Sequence, residues 1–445
     1  MVAAAFAWLR RSRPKGCPAP ASLPLRAPAI KRPNNTPHLW EVSMVSRRTV
    51  LFGGALALTG AGSGRASAQV QPIKIGVLED MSGVFSDLGG NGTTIAARMA
   101  VEDFGGKVLG RPIEIVSGDH QNKPDLALSI ARKWYDIEGV GLITGLTNSA
   151  VALGVQKLAA DKNKINIVQN ASTDVLIEQD CSPNAIIWNW TARTIVRLTV
   201  EMAMKTSGKT WYFIVSDYAG GRIMEDEATP LIKSAGGAVL GTSRPPVGEA
   251  DFASHLLTAQ ASKAEVLGVV TFGQDFVNLL RQCVDFGIVR TMRPVAPFAF
   301  HSDLKAVGPQ GIQGMPVAAP FYWDLNPETR AFSDRFRKLT GRPPDVGHAG
   351  TYNALIHYFK SLKAANTDQT ADVLAAMRKM PINDMSTKDG FIRGDGMVVR
   401  QIYRFVGKTP AESKDPWDLL KFVDTVPKEA AFPEQKDPKC RLLKA

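Results

Sequence analysis

From Gln69 onward the chain alternates short β-branched apolar runs with amphipathic stretches of helical period, and it does so in two successive series. In the first, Ile73-Lys-Ile75-Gly-Val77-Leu78, Ile113-Glu-Ile115-Val116, Val140-Gly-Leu142-Ile143 and Ile165-Asn-Ile167-Val168 read as strands, separated by helical stretches over 93–104, 125–138 and 150–162. This order calls for a parallel sheet with helices on both faces, because parallel strands can be joined only through crossovers. The series restarts beyond Cys181. Strands are predicted over 211–215, 238–240, 266–270 and 295–300, with helices over 224–235, 252–260 and 277–286 between them. Two late helices, 351–365 and 370–380, precede a strand pair near Phe391 and over 398–405. The fold class is therefore α/β, with two doubly wound, Rossmann-like units. In open parallel sheets a ligand binds outside the carboxyl ends of the strands. The loops at those ends are 79–91, 145–149, 169–173, 216–221, 271–275 and 300–303, rich in Ser, Thr, Asn and Gly.

A formal charge of +11 on 445 residues invites a nucleic-acid reading until the charge is located. Residues 1–68 hold ten Lys/Arg and one acid, Glu41, which leaves 43 basic and 41 acidic residues beyond them. The basicity belongs to a leader, so no nucleic-acid partner is expected. That leader reads as a signal. Ser46-Arg47-Arg48 followed by apolar residues opens a twin-arginine pattern, the apolar run 50–61 is too short and glycine-rich to span a bilayer, and Ala66-Ser67-Ala68 supplies a cleavage site. The expected mature start is Gln69, in the periplasm. Residues 1–43, rich in Pro and Arg, lie upstream of a complete signal over 44–68, which a start assigned too early explains, with Met44 the working start.

Of four cysteines, Cys17 lies in the leader and Cys283 on the apolar face of a predicted helix, as a small buried hydrophobe. Cys181 and Cys440 remain, both in Pro-flanked, loop-like contexts, and an oxidising compartment favours pairing them.

The strand-end motifs carry a resemblance. They are Ile75-Gly-Val-Leu-Glu-Asp-Met-Ser82-Gly83, Thr144-Gly145-Leu-Thr-Asn148-Ser149, Ser216-Asp217-Tyr218-Ala-Gly-Gly221, Ala250-Asp251-Phe252 and Tyr352-Asn-Ala354-Leu. In order and spacing, from about Ile73 to Phe405, the chain resembles the Leu/Ile/Val-binding type of periplasmic solute-binding protein, the receptors of ABC importers. The resemblance implies two lobes joined by three hinge crossovers. Lobe one is expected over 72–188 plus 323–394 and lobe two over 189–322 plus 395–440, with hinges near Trp188–Trp190, Tyr322–Trp323 and Asp395–Val399. It implies a small-molecule ligand, a membrane permease as partner, no cofactor, no metal, no catalysis and a monomer. It also implies that a ligand carboxylate rests on helix N-termini at Asn148 and Ser149 and at Asn170, Ala171 and Ser172, where N–H groups and the positive helix end converge. Ser149 and Ser172 also fit as plain helix caps.

Amino-acid receptors of this family carry an acid after the strand that ends here near Phe300, to meet the ligand ammonium. This chain has Phe300-His301-Ser302-Asp303 there. Aromatics crowd the strand-end loops instead, among them Phe85, Trp188, Trp190, Tyr218, Phe272, Phe321, Tyr322 and Trp323. With the Cys181-Ser-Pro-Asn and Phe321-Tyr-Trp-Asp324 elements, they look like the aromatic-acid branch of the family. The expected ligand set is Ser82, Phe85, Asn148, Ser149, Asn170, Ala171, Ser172, Tyr218, Phe272, Phe300 and His301, with His301 reading a ring hydroxyl. A branched-chain amino acid is the alternative ligand, and Asp217, Asp275 or Asp303 would then serve it.

An enzyme fits poorly. Gly89-Gly90-Asn-Gly92 lacks the Gly-Lys-Ser/Thr ending of a phosphate loop, the six histidines show no metal spacing, and no Gly-x-Ser-x-Gly elbow occurs. A tethered sensory module would need a membrane helix or kinase, and neither is legible.

Overall fold

The computed structural model describes residues 71–83, 85–434 and 438–443. The leader expected over 1–68 lies outside them. The first series forms a six-stranded sheet in the spatial order Lys107–Val108, Arg111–Asp119, Ile73–Glu79, Val140–Gly145, Ile165–Val168, Ala185–Ile187. All its pairings are parallel except the short Lys107–Val108 hairpin. The first strand thus lies between the next two long ones, so the strand order reverses at the carboxyl ends of Ile73–Glu79 and Val140–Gly145. Helices Gly90–Asp103, Pro124–Lys133 and Ser149–Asp161 are the crossovers. The long helix Val346–Ala365 returns late in the chain to pack on Gly90–Asp103 and complete this lobe.

The second series forms a four-stranded parallel sheet in the order Arg293–Val295, Val266–Val270, Thr210–Val215, Ala238–Ser243. Its order reverses at the ends of Thr210–Val215 and Val266–Val270. A third, antiparallel sheet joins Pro316–Ala319, Ile402–Gly407 and Leu420–Val426, and a fourth joins Ile382–Asp384, Thr387–Ile392 and Val398–Val399.

Two local expectations shift. The strand expected over 295–300 ends at Val295 and the chain turns into helix His301–Val307. Pro297 explains the early stop, since it has no N–H to give the ladder. The helix expected from Met224 begins at Ala219, runs through Gly220-Gly221 and tolerates Pro230 inside it. Sequence reading also passed over helix Ala192–Thr206, whose Thr, Ile and Val residues favour strands but whose buried stripe packs on helix Ala219–Ser234.

The tail is fastened to lobe one. Cys440 is bonded to Cys181, with Cα atoms 5.6 Å apart, and Lys439 pairs with Glu178 at 2.9 Å. Glu178 also accepts from Arg193 at 2.7 Å, at the start of helix Ala192–Thr206. Cys283 is buried and free, and burial pushes its thiol up to about 12. The bond spans 259 residues of sequence. In the chain-entropy account, replacing both cysteines by serine should cost about 2–5 kcal/mol. Denaturant melts of the double variant beside the oxidised parent read this directly, and coincident curves would contradict it.

Candidate functional site

The reversal point of the first sheet is organised around one carboxyl. Glu79, the last residue of its strand, is fully buried. It accepts from the Thr147 hydroxyl at 2.5 Å, from the Thr147 N–H at 3.4 Å and from the Thr93 hydroxyl at 3.3 Å. Gly145 lets the 145–149 loop come this close: its φ is +100°, and a Cβ there would lie 2.9 Å from Glu79 and from the Leu78 carbonyl. Burial pushes the Glu79 carboxyl up to about 7, against the hydrogen bonds from Thr147 and Thr93 that favour its charged form. The neighbouring Asp80 accepts from the N–H groups of Gly83 at 2.7 Å and Phe85 at 3.1 Å, which shapes the loop carrying Ser82 and Phe85. Ser82 itself is exposed and donates to Asp119 at 2.6 Å. Phe85 is half-buried.

Asn148 caps its own helix. Its side-chain oxygen accepts from the N–H groups of Ala150 at 2.8 Å and Val151 at 3.0 Å, while its amide donates to Asn122 at 2.6 Å. Ser149, half-buried, opens that helix. Asn170 stands differently. It is 2 % exposed, and neither its amide nitrogen nor its oxygen has a partner among the described residues. It lies against the first turn of helix Val346–Ala365 at Gly347, where a Cβ would overlap its amide. Segments 168–172 and 188–192 run side by side: Trp188 N–H donates to the Val168 carbonyl at 2.8 Å and Ala192 N–H to that of Ser172 at 2.9 Å. Trp190 therefore stands next to Asn170, and its indole N–H is likewise buried without a partner.

Lobe two faces this edge with rings. Phe298 and Phe300 meet edge to face at 4.6 Å, and Trp190 packs on them at 5.1 and 6.4 Å. Ala171, Trp190, Phe298 and Phe300 belong to one buried apolar cluster, with Phe272 packed against it. Tyr218, at 36 % exposure, meets Phe272 edge to face at 5.9 Å. His301 points elsewhere. Its Nε2 lies 3.1 Å from the Trp417 carbonyl, between the rings of Tyr322 and Trp417. Of the candidate aspartates, Asp217 pairs with Arg222 at 2.5 Å, Asp275 accepts from Gly248 N–H at 2.9 Å, and burial with the nearby Asp345 pushes Asp303 up to about 7.

The lobes touch at Asp345. One of its oxygens accepts from Val346 N–H at 2.8 Å, capping helix Val346–Ala365, and the other accepts from Ser302 N–H of lobe two at 3.2 Å. Asp345 N–H donates to Nδ1 of His348, whose Nε2 lies 2.9 Å from the Gly89 carbonyl. Burial lowers the His348 imidazolium to about 4, so the ring is neutral and donates from Nε2. The structure thus gathers Asn170, Ala171, Phe272 and Phe300, leaves Ser82 and Tyr218 toward the rim, and ties Asn148 and His301 into other bonds. Glu79, Asp345 and His348 escaped sequence reading, which gives Trp190 as a strand-end aromatic at a hinge rather than as a polar donor. Glu79 alone carried a usable signal, as an acid ending an apolar strand. No cluster of metal-binding side chains occurs among the described residues, and no helix among them is long and apolar enough to cross a membrane.

Residues 72–410 match the family model described as periplasmic binding protein. The crystal structure of a periplasmic binding protein from Burkholderia mallei superposes with a TM-score of 0.79 at 39 % identity, covering 83 % of this chain and 99 % of that one. A branched chain amino acid ABC transporter periplasmic ligand-binding protein from Burkholderia xenovorans gives 0.77 at 33 % identity, with 83 % and 99 % covered. A Leu/Ile/Val-binding protein homolog from Brucella melitensis is 24 % identical over 366 residues, 75 % of this chain and 83 % of that protein.

The Glu79 carboxyl sets a pH dependence. Its value rises from 4.5 to about 7 on folding. Between those values the folded chain holds a proton that the unfolded chain releases. Stability from this group is therefore complete below about 4.5, falls as pH rises to about 7 and is flat beyond. Glu79→Gln keeps a neutral group there, so its stability relative to the parent should rise by up to about 3 kcal/mol between pH 4.5 and 8. Urea melts of both proteins at several pH values check this, and parallel profiles would contradict it.

Proposed function

This chain belongs to the periplasmic binding protein family and is a small-ligand receptor of an ABC importer; from that premise we propose that its ligand is a small aromatic carboxylate. The observation that carries the reading is the contrast between the two sides of the cleft. Among the described residues, the Asn170 amide on lobe one and the Trp190 N–H at the crossover beside it are buried without partners. Phe298 and Phe300 pack on the Trp190 ring, and of the three candidate aspartates Asp217 is paired with Arg222, Asp275 accepts from Gly248 N–H, and burial pushes Asp303 up to about 7, toward its neutral form. A buried ammonium without a counter-charge costs several kcal/mol, whereas a ring laid on aromatic faces gains about 2–3 kcal/mol from burial.

In this reading the carboxylate lies against Ser149, Asn170, Ala171 and Ser172, with Asn148 holding the helix end in place through its cap. The ring lies toward Phe85, Phe272, Phe300 and Tyr218, and Ser82 lines the rim. His301 is given no contact, because the Trp417 carbonyl already holds its Nε2. Lobe one comprises 72–188 and 323 onward, lobe two 189–322 and the late sheet. The third crossing then falls at Arg400–Gln401, a little beyond the position sequence suggests. The pairing of Val398–Val399 with Phe391–Ile392, and of Ile402–Gly407 with Pro316–Ala319, supports that placement. The protein works as an exported monomer, with a twin-arginine signal cleaved after Ala68, and delivers its ligand to a membrane permease.

A branched-chain amino acid is the second reading. The name of the Burkholderia xenovorans relative favours it, and Asp303 would then turn inward to the ammonium. Titration calorimetry with benzoate and with leucine separates the two. Benzoate should bind at micromolar concentration or tighter and leucine should give no heat. Asn170→Ala should weaken benzoate at least about tenfold, in line with the loss of a hydrogen bond to a charged group. Tight leucine binding with no response to benzoate would overturn the assignment.

A further inference from the structure

Two unpartnered hydroxyls stand at the reversal point of the second sheet. Strand Thr210–Val215 lies between Ala238–Ser243 and Val266–Val270, so the strand order reverses where Thr210–Val215 and Val266–Val270 end. The next residues are Ser216 and Thr271. Ile214 and Val269 are paired across these strands and sit in the same apolar cluster. Two residues further on, Ser216 and Thr271 fall on that same face, side by side. Ser216 N–H donates to the Val270 carbonyl at 3.0 Å, which holds the strand ends together. The two residues are 2 % and 1 % exposed, and neither hydroxyl has a partner among the described residues. Buried hydroxyls are almost always bonded, and a side-by-side pair at a reversal point is where a ligand would supply the missing bonds.

We propose that the ligand carries a hydroxyl at the end remote from its carboxylate, and that Ser216 and Thr271 read it. This deepens the aromatic-acid reading and rests on it. Each hydroxyl can donate once and accept twice, so the pair suits a group that does both, as a phenolic hydroxyl does. It suits an anion badly, because two carboxylates lie nearby, Asp217 paired with Arg222 at 2.5 Å and Asp275 accepting only from Gly248 N–H at 2.9 Å. The edge-to-face pair of Tyr218 and Phe272 follows directly along both chains and would flank the hydroxyl-bearing edge of a ring. Asn170 on lobe one, with Trp190 at the crossover beside it, takes the carboxylate end, so a hydroxylated acid spans the cleft with a polar group on each lobe.

The test is titration calorimetry of the parent, Ser216→Ala, Thr271→Val and the double variant with 4-hydroxybenzoate, benzoate and leucine. The parent should prefer 4-hydroxybenzoate to benzoate by about tenfold or more, the worth of a hydrogen bond to an otherwise unsatisfied buried group. The double variant should bind benzoate as the parent does, which also shows that it is folded, and should lose the preference. Benzoate binding with no preference in the parent, or a preference that survives both substitutions, would overturn the hydroxyl assignment alone. Leucine binding with no response to either acid would instead overturn the aromatic-acid reading, and this proposal with it.

Discussion

The Glu79 carboxyl is the point on which the binding edge of lobe one leans. It ends the central strand of the larger sheet, and its oxygens are taken by Thr147 from the 145–149 loop and Thr93 from the first crossover helix. With Gly145 N–H on Gln169, Leu146 N–H on the Leu78 carbonyl and Asn148 on Asn122, that anchor holds the 145–149 loop in place, since parallel strands give no hairpin to hold a loop at their carboxyl ends. The same edge is closed from the other side by His348, whose neutral ring joins the start of helix Val346–Ala365 to the Gly89 carbonyl. A late helix and an early loop are thus fixed relative to each other, with Asn170 against the first turn of that helix. Burial keeps the His348 ring neutral even with the Asp345 carboxylate beside it, because the cost of taking the charge out of water outweighs that attraction.

The two reversal points have different chemistry, and in the proposed reading that difference is the basis for selectivity. Lobe one offers the Asn170 amide, with the Trp190 N–H at the crossover beside it, suited to an anion. Lobe two offers hydroxyls and aromatic faces, with its carboxylates held in bonds of their own. A ligand satisfies both only when both lobes reach it, so its contacts favour the closed arrangement and shift the population toward it. Asp345 also accepts from Ser302 N–H at 3.2 Å across the two lobes.

Most of the architecture was legible because hydrophobic period is a direct consequence of burial. The strand Val266–Val270 is apolar throughout, and Ile73–Glu79 and Val140–Gly145 are apolar but for Lys74, Glu79 and Thr144, as strands covered on both faces are. Helix Ala192–Thr206 was not legible, since its β-branched residues contradict its state and packing alone decides it. Strand-end geometry located the site region, but not the partners of each side chain. Asn148 and Asn170 look alike in sequence, yet one is consumed by its own helix and the other is left open. His301 was misjudged for a related reason: the Trp417 carbonyl that holds it comes from more than a hundred residues away in the chain, and no local pattern announces it.

The central claim is that this receptor closes on an aromatic acid held without a counter-charged ammonium. A crystal structure of the protein grown with 4-hydroxybenzoate tests it most directly. The account expects closed lobes, the carboxylate within hydrogen-bond reach of Asn170, and the ring on Phe300 and Phe272. A ligand absent from the cleft at saturating concentration, or an amino acid retained there from the cells with its ammonium on Asp303, would contradict it.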